Sequence, residues 1–528
     1  LRERAKAWAV FFVVLLMSGY ARGQINPSFF TTSPPNPVGS GARAMGVGGA
    51  FIAVGDDATA ASWNPGCLIQ LEKPEASFVL TEDFRNIDGN NVDFFDVNYL
   101  SVAYPFTIKK SKPLFGQNDI NMIVSLNYQR LFDFYFDSSR TLSSIARNEM
   151  EAQMLTEGDN TPGSPTEFDT YTMNDDLIEN HYKLTSKQIG DLGALAPAFA
   201  IQITPKFSLG FTYNFWRDGW LGKRQNLDYE ETHDFNFAKE NGLWWDQNGN
   251  CTCNGGNPCD SSSLTIVDDP ACLEMPIPES LLPFPNPDYS EPTDFHFKMD
   301  TETTMRMQGQ NFNLGMLWDL NGRWSLGAVY RSPIKMDVKR TVKITYFQDS
   351  SDPLQIIPRT TTTAKYDDSV YFPASYGIGV GYRYSDALSF TSDVTRIEWN
   401  NYLYKPEGGE KYSLVNGLKK SKAGVDPTYT ARAGAEYLII KPKYVVPLRA
   451  GFFYDPEPAK DKPDNVYGIT MGTGFAYKRV AMDLTYYYRW GNNIILHTDT
   501  DASREHLEVR RGNLQQHMVM FSTIVYFE

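Results

Sequence analysis

A chain of 528 residues is long enough for several soluble domains, yet no composition shift or Pro/Ser linker divides this one. With 21% charged residues it does not read as a helical membrane protein, and a net charge of -14 argues against nucleic acid as a partner. Aromatic residues make up 14% of it, a share that suits a wall with two interfacial girdles.

The first helix-length apolar run, Ala7–Tyr20, is too short to span a bilayer. It follows Arg2, Arg4 and Lys6 and precedes Ala21-Arg22-Gly23. Residues 1–23 therefore read as a Sec signal peptide, with Gln24 as the mature start. Residues 24–75 are rich in Gly and Ala and alternate little. They read as a compact plug, in which small side chains allow close backbone approach.

Residues 76–528 keep returning to short alternating segments with one bulky apolar face, such as FSLGFTYNFW at 207–216 and VAMDLTYYYRW at 480–490. That period of two marks a strand with lipid on one side. Fourteen such strands are predicted, the first near 75–81 and the last near 516–527. Asn321-Gly322 gives a strong hairpin turn between 305–320 and 324–338. Connections alternate between short and long, the chief long ones being 135–190 and 217–304. Short turns belong in the periplasm and long loops outside. The predicted fold is all-β: a 14-stranded antiparallel transmembrane β-barrel in the bacterial outer membrane, a monomer surrounded by lipid, with an N-terminal hatch inside.

Cys251, Cys253, Cys259 and Cys272 fall in the third external loop. Their spacing lacks the paired C-x2-C knuckles of a zinc site, and an exported protein favours disulfides. A 251–253 ring would be very strained, which leaves 251–259 with 253–272 or 251–272 with 253–259. No metal site, cofactor or catalytic set is predicted: GVGGAF is not a nucleotide loop, and neither H-E-x-x-H nor G-x-S-x-G occurs.

Alternation also assigns faces. On 324–338 it sends Leu326, Ala328, Tyr330 and Ile334 to one side and Arg331, Lys335 and Asp337 to the other. It sends Asp393, Arg432, Glu436, Arg449, Asp483 and Arg489 inward as a lumen charge network. Charges on the lipid face near the midplane would cost ~2–4 kcal/mol each. Arg331 and Lys335 are the first candidates to contact an anionic ligand head group.

The segments LGMLWDLNGRWSLGAVYRSPIKMDVK, FPASYGIGVGYRYSDALSFTSDVTRIEWNNY and LRAGFFYDPEP resemble, in register, the FadL-type outer-membrane long-chain fatty acid and hydrocarbon transporters. The resemblance implies a barrel closed by a hatch, a small hydrophobic ligand caught by extracellular loops, a lumen pocket, and release by hatch rearrangement or a lateral opening. It places the hatch turn at Asn64-Pro65, here followed by Gly66-Cys67-Leu68, and it brings Phe29 and Phe30 toward the pocket. GARAMGVGGAFIAVGDDATAASWNP is also similar to PorV, a relative that shuttles or anchors secreted proteins. That supplies the alternative function, with a secreted protein as partner.

Overall fold

The computed structural model describes residues 39–87, 89–114, 117–134, 136–155, 168–221, 225–238, 244–245, 251–253, 257–258, 294–350, 357–500 and 507–527. Fourteen strands form its wall: β1 Glu75–Ile87, β2 Asn90–Leu114, β3 Gln117–Asp133, β4 Asp191–Thr204, β5 Phe207–Asp218, β6 Asp294–Asp319, β7 Trp324–Arg331, β8 Ser375–Arg383, β9 Leu388–Ile397, β10 Thr428–Ile440, β11 Tyr444–Tyr454, β12 Tyr467–Tyr477, β13 Val480–Thr500 and β14 Leu507–Tyr526. Each pairs antiparallel with the next, for example β2 with β3 from Tyr99↔Gln129 and β13 with β14 from Val480↔Val525. β1 pairs with β14 from Glu75↔Tyr526 to Ile87↔Leu514, which closes the barrel and leaves the wall no edge.

The pleat produces the expected division of faces. On β13, Met482, Leu484 and Tyr486 are 39–47% exposed toward lipid, while Asp483, Thr485, Tyr487 and Arg489 are buried inside. Short turns join β4–β5, β6–β7, β8–β9, β10–β11 and β12–β13 at one end, the periplasmic one. Gly322 takes φ 74° in the β6–β7 turn, where its lack of a Cβ is required.

At the other end the sheet rises beyond the wall. Phe136–Leu155 pairs with Phe168–Ile189, which pairs with Gln225–Ala238, which pairs with the upper half of β6. On its other edge, upper β6 pairs with Ile334–Ser350, and that strand with Ile357–Phe372. The stretches 135–190 and 217–304 therefore carry strands rather than loops alone. Above the lipid a strand pair rests on backbone hydrogen bonds and needs no apolar face, so the sequence shows no alternation there.

One predicted face is inverted. The ladder between β6 and β7 ends at Asn313↔Arg331 and resumes at Gln310↔Lys335, so Asn311 and Phe312 lie opposite Ser332, Pro333 and Ile334. That extra residue is a bulge, at a proline with no N–H for the ladder. It turns Ile334, Met336 and Val338 inward. Lys335 and Asp337 lie outside, with side chains 59% and 66% exposed, contrary to the strict alternation read from the sequence.

Candidate functional site

The lower lumen is filled by residues 39–71, built from α1 Ala42–Gly46, α2 Ala60–Trp63 and the 3-10 helix Pro65–Gln70. None of these is long enough to be stable alone. The wall supplies what they lack, through short polar side chains that point inward and bond to the segment's backbone. Thr485 Oγ1 donates to Ala42 O at 2.6 Å, Thr391 Oγ1 to Ala50 O at 2.8 Å, Ser325 Oγ to Ala53 O at 2.9 Å and Thr212 Oγ1 to Ala61 O at 2.8 Å. Thr470 Oγ1 accepts from Gly48 N and donates to Gly46 O, both at 3.0 Å. These anchors come from β5, β7, β9, β12 and β13, so the segment is gripped from opposite sides.

Close approach is possible because the wall carries glycine where the segment touches it. A Cβ on Gly451 would lie 2.1 Å from Gly48 N, one on Gly327 2.1 Å from Ile52 O, and one on Gly210 2.1 Å from the Pro65 carbonyl carbon. Asn64 fixes the turn between the two helical pieces. Its Oδ1 caps Gly66 N at 3.0 Å, while its Nδ2 donates to Ile52 O at 2.6 Å and to Met316 O of β6 at 2.9 Å. Pro65 sits at the first position of the 3-10 helix, where no N–H is needed. Cys67 is buried and donates to Ile52 O at 3.2 Å; burial pushes its thiol far above the usual range, so it stays protonated. Burial likewise pushes the Asp57 carboxyl up, against the pull of Arg43.

The inward charges named from the sequence fall mainly in two networks rather than one ladder, and Arg85 with Asp83 and Asp133 forms a separate cluster. Arg449 bonds Glu436 Oε2 through Nε at 2.5 Å and Asp483 Oδ1 through Nη1 at 2.6 Å. Arg43 of the inner segment reaches Glu436 Oε1 at 3.1 Å and also pairs with Asp56. Arg432 and Arg489 share Asp455 at 3.8 and 3.9 Å, and Arg489 also pairs with Glu457. Asp393 belongs to neither network; its Oδ2 accepts Ile52 N at 2.9 Å, and its Oδ1 is buried without a hydrogen-bond partner among the described residues.

Arg331 is held by the inner segment, donating through Nη2 to Trp63 O at 2.7 Å. It lines a cavity of about 50 Å³ together with Trp63, Ile52, Asp393, Arg432 and Asp455. Two guanidinium groups and two carboxylates thus converge where the inner segment meets the wall.

Above this charged level part of the lumen is apolar, beside the Arg85–Asp133 and Arg130–Asp96 ion pairs, each at 2.8 Å. Phe132, Phe134, Leu192, Trp216, Met305, Met307, Ile334, Met336, Val338, Val370, Phe372 and Ile397 form one buried cluster. A strap, residues 398–427, folds over it and adds Trp399, Tyr402, Leu414 and Leu418. Asp368 secures the strap: it accepts from Arg340 Nε at 2.7 Å, from the Tyr404 hydroxyl at 2.8 Å and from Glu407 N at 2.9 Å.

The structure brings Arg331, Asp393 and Arg432 to one cavity and separates Glu436, Arg449 and Asp483 from it. It leaves Lys335 outside the barrel. Phe29, Phe30, Cys259 and Cys272 lie outside the described residues, as do the side chains of Cys251 and Cys253. Sequence reasoning missed Arg43, Asp455 and Glu457, which sit in GARAMG and YDPEP, short stretches with no alternation to assign a face. It also missed the apolar upper lumen, which the bulge at Ser332-Pro333 helps to create.

Residues 170–523 match the model of the outer membrane protein transport protein family (OMPP1/FadL/TodX). Among solved structures the chain is similar to a Pseudomonas aeruginosa FadL homologue, at 13% identity over 93% of this chain and 98% of that one, with a TM-score of 0.48. It is also similar to the P. putida toluene transporter TodX, at 15% identity over 93% and 100% with a TM-score of 0.46. A third is the CymD monoaromatic hydrocarbon channel, at 14% identity over 93% and 99% with a TM-score of 0.46. No curated protein matches the chain.

Proposed function

Because the chain belongs to the outer membrane protein transport protein family (OMPP1/FadL/TodX), and so is a barrel of the bacterial outer membrane, we propose that it is a passive channel for hydrophobic molecules, long-chain fatty acids or hydrocarbons. The observation that carries this reading is the apolar cluster of the upper lumen. A barrel for polar solutes has a polar interior, whereas here the extracellular half presents Met336, Val338, Val370 and Phe372 to the inside. Each methylene buried there would stabilise a bound tail by about 0.8 kcal/mol.

The charged cavity below gives an amphiphile its orientation, with the tail among the apolar residues and an anionic head group toward Arg331 and Arg432. At about 50 Å³ that cavity is smaller than the roughly 150 Å³ that takes benzene. Passage therefore needs the inner segment 39–71, the hatch of this reading, to shift, or the wall to part. Asn64 and Pro65 are its pivot and the extracellular loops its capture surface. The transmembrane barrel itself, residues 76–528, stays closed throughout this cycle except at the point of release.

The experiment is a native mass spectrum of the protein purified from its own outer membrane, combined with uptake by Arg331→Ala. A discrete added mass of fatty-acid or hydrocarbon size is expected, and the variant should lose uptake of an anionic lipid more than that of a neutral hydrocarbon. A bare barrel whose variant transports both normally would overturn the reading. An intact secreted protein as the added mass would favour shuttling instead.

A further inference from the structure

On the outer wall, the extracellular end of one sector carries cations. Tyr213, Phe215, Phe312, Tyr330 and Tyr376 form a continuous aromatic band across β5–β8, with ring centroids 4.7 Å apart for Tyr213–Phe215, 6.1 Å for Phe312–Tyr330 and 5.2 Å for Tyr330–Tyr376. Below it lie the outward apolar residues Leu314, Met316 and Trp318, each at least 40% exposed. The band therefore marks the outer edge of the hydrocarbon layer.

Immediately above the band the outward positions change character. Arg217 is the next outward residue after Phe215, about 7 Å further along β5. It lies beside Gln308, and Gln308 lies beside Asp337. One step higher, Arg306 stands directly opposite Lys339; one step lower, Lys335 stands opposite Gln310. Arg217, Arg306, Lys335 and Lys339 are all exposed. Lys335 has Asp337 at 3.5 Å, whereas Arg217, Arg306 and Lys339 make no ion pair among the described residues. Asp367 lies across from Lys339 and is the other acid of the patch.

Two features distinguish this patch from an ordinary solvated face. Like charges directly opposite on neighbouring strands repel, and at the Arg306–Lys339 pair this is offset on one side only, by Asp367 across from Lys339, so an anion over the pair would stabilise it. The patch also stands out against both the chain's net charge of -14 and the far side of the barrel. There the outward positions include the amides Asn86, Asn513 and Gln515, and the exposed Arg511 one step higher is paired with Asp464 at 2.8 Å.

We infer that Arg217, Arg306, Lys335 and Lys339 form a docking site for the phosphate groups of a phosphorylated lipid of the outer leaflet. The acyl chains lie against the aromatic band and the apolar strip beneath it. Arginine and lysine both suit the chemistry, the guanidinium as a fork on phosphate oxygens and the ammonium as a mobile point charge. Their long stems reach down to the phosphate level from several heights along the strands.

The test uses the full-length protein in nanodiscs of phosphatidylcholine doped with a bisphosphorylated lipid A, released into native mass spectrometry. The variants are Arg306→Gln/Lys339→Gln and, as a control for net charge, Lys441→Gln/Lys443→Gln in the β10–β11 turn. Wild type and control should retain the phosphorylated lipid over phosphatidylcholine, and Arg306→Gln/Lys339→Gln should bind it about 30-fold more weakly while remaining a folded barrel. Equal retention by that variant, or equal loss in the control, would overturn the assignment. So would displacement of the lipid by inorganic phosphate at matched phosphate concentration, which would make the patch a free-anion site.

Discussion

Gly451→Ala adds one methyl group at the point where the wall touches the inner segment. Its Cβ would lie 2.1 Å from Gly48 N and 2.5 Å from Gly48 Cα and the Val47 carbonyl carbon, where 3.4 Å is ordinary contact. The obstacle is backbone on both sides, so the segment must retreat by about 1.3 Å at Val47-Gly48. That retreat stretches the bond between Gly48 N and Thr470 Oγ1, now 3.0 Å, and the one from Arg432 Nη1 to Gly48 O, now 3.2 Å. Overpacking and two weakened hydrogen bonds together cost about 2–4 kcal/mol. The equilibrium between seated and released segment should shift by roughly 30- to 700-fold. Gly472→Ala is the internal comparison: its Cβ would sit 3.0–3.1 Å from its nearest neighbours, a contact relieved by a few tenths of an ångström. Amide exchange of residues 44–50 reads the release directly, and single-channel conductance reads any leak. Faster exchange is expected for Gly451→Ala and near-wild-type exchange for Gly472→Ala. Equal behaviour of the two variants would refute the argument that backbone contact with the wall seats this segment.

The remaining predictions probe other levels of the barrel. Met336→Glu puts a carboxylate into the apolar upper lumen, where the wild-type side chain is wholly buried; uptake of a hydrophobic ligand should fall at least ~10-fold in a correctly folded barrel, and unchanged uptake would remove this compartment from the route. Leu484→Arg places a charge on the lipid face of β13 and should lower unfolding stability by about 2–4 kcal/mol in lipid vesicles, with little effect if the face assignment were wrong. Burial pushes the Glu457 carboxyl up to about 7 despite the pull of Arg489. A carboxyl raised above its unfolded value of 4.5 contributes most below that pH, and the contribution is lost as pH rises through 7. Hydrogen exchange of residues 455–466, corrected for intrinsic rates, should therefore show easier opening at pH 8 than at pH 5, and Glu457→Gln should flatten that slope.

What the sequence revealed follows from which forces leave a periodic trace. Lipid imposes alternation, so the strands from 75 to 527 could be counted, and Asp393, Arg432, Glu436, Arg449, Asp483 and Arg489 lie on the inner side of the wall. Alternation fails wherever something other than lipid sets the face. At Ser332-Pro333 one bulged residue reverses the phase, and every position from Ile334 to Val338 changes side. Beyond the membrane, Phe136–Leu155 and Phe168–Ile189 pair as antiparallel strands, and nothing in their sequence pattern announces it. The site was harder still to foresee. Its anchors are single threonines and serines, such as Thr485 and Ser325, whose partners are backbone carbonyls hundreds of residues away. A pairing between a side chain and a backbone atom carries no complementary residue type in the sequence. The inward glycines of the wall, Gly327, Gly434 and Gly451, were the one available signal: a glycine at the centre of a strand marks a place where another backbone comes close.

The glycine contacts also constrain how the molecule is made. The wall closes only when β1, which begins at Glu75, meets β14, which ends at Tyr526. Residues 39–71 precede all of this in the chain, yet they contact nearly the whole circumference, from Thr212 to Thr485. Where Gly451 meets Gly48, the two backbones touch with no room for a side chain between them. Nearly the full length of chain must therefore be present before the last seam zips shut. Such non-local closure is slow, because loop entropy is lost before contacts repay it. A chain truncated before β14 would retain an inner segment with no complete ring to hold it and two exposed strand edges, at β1 and at β13.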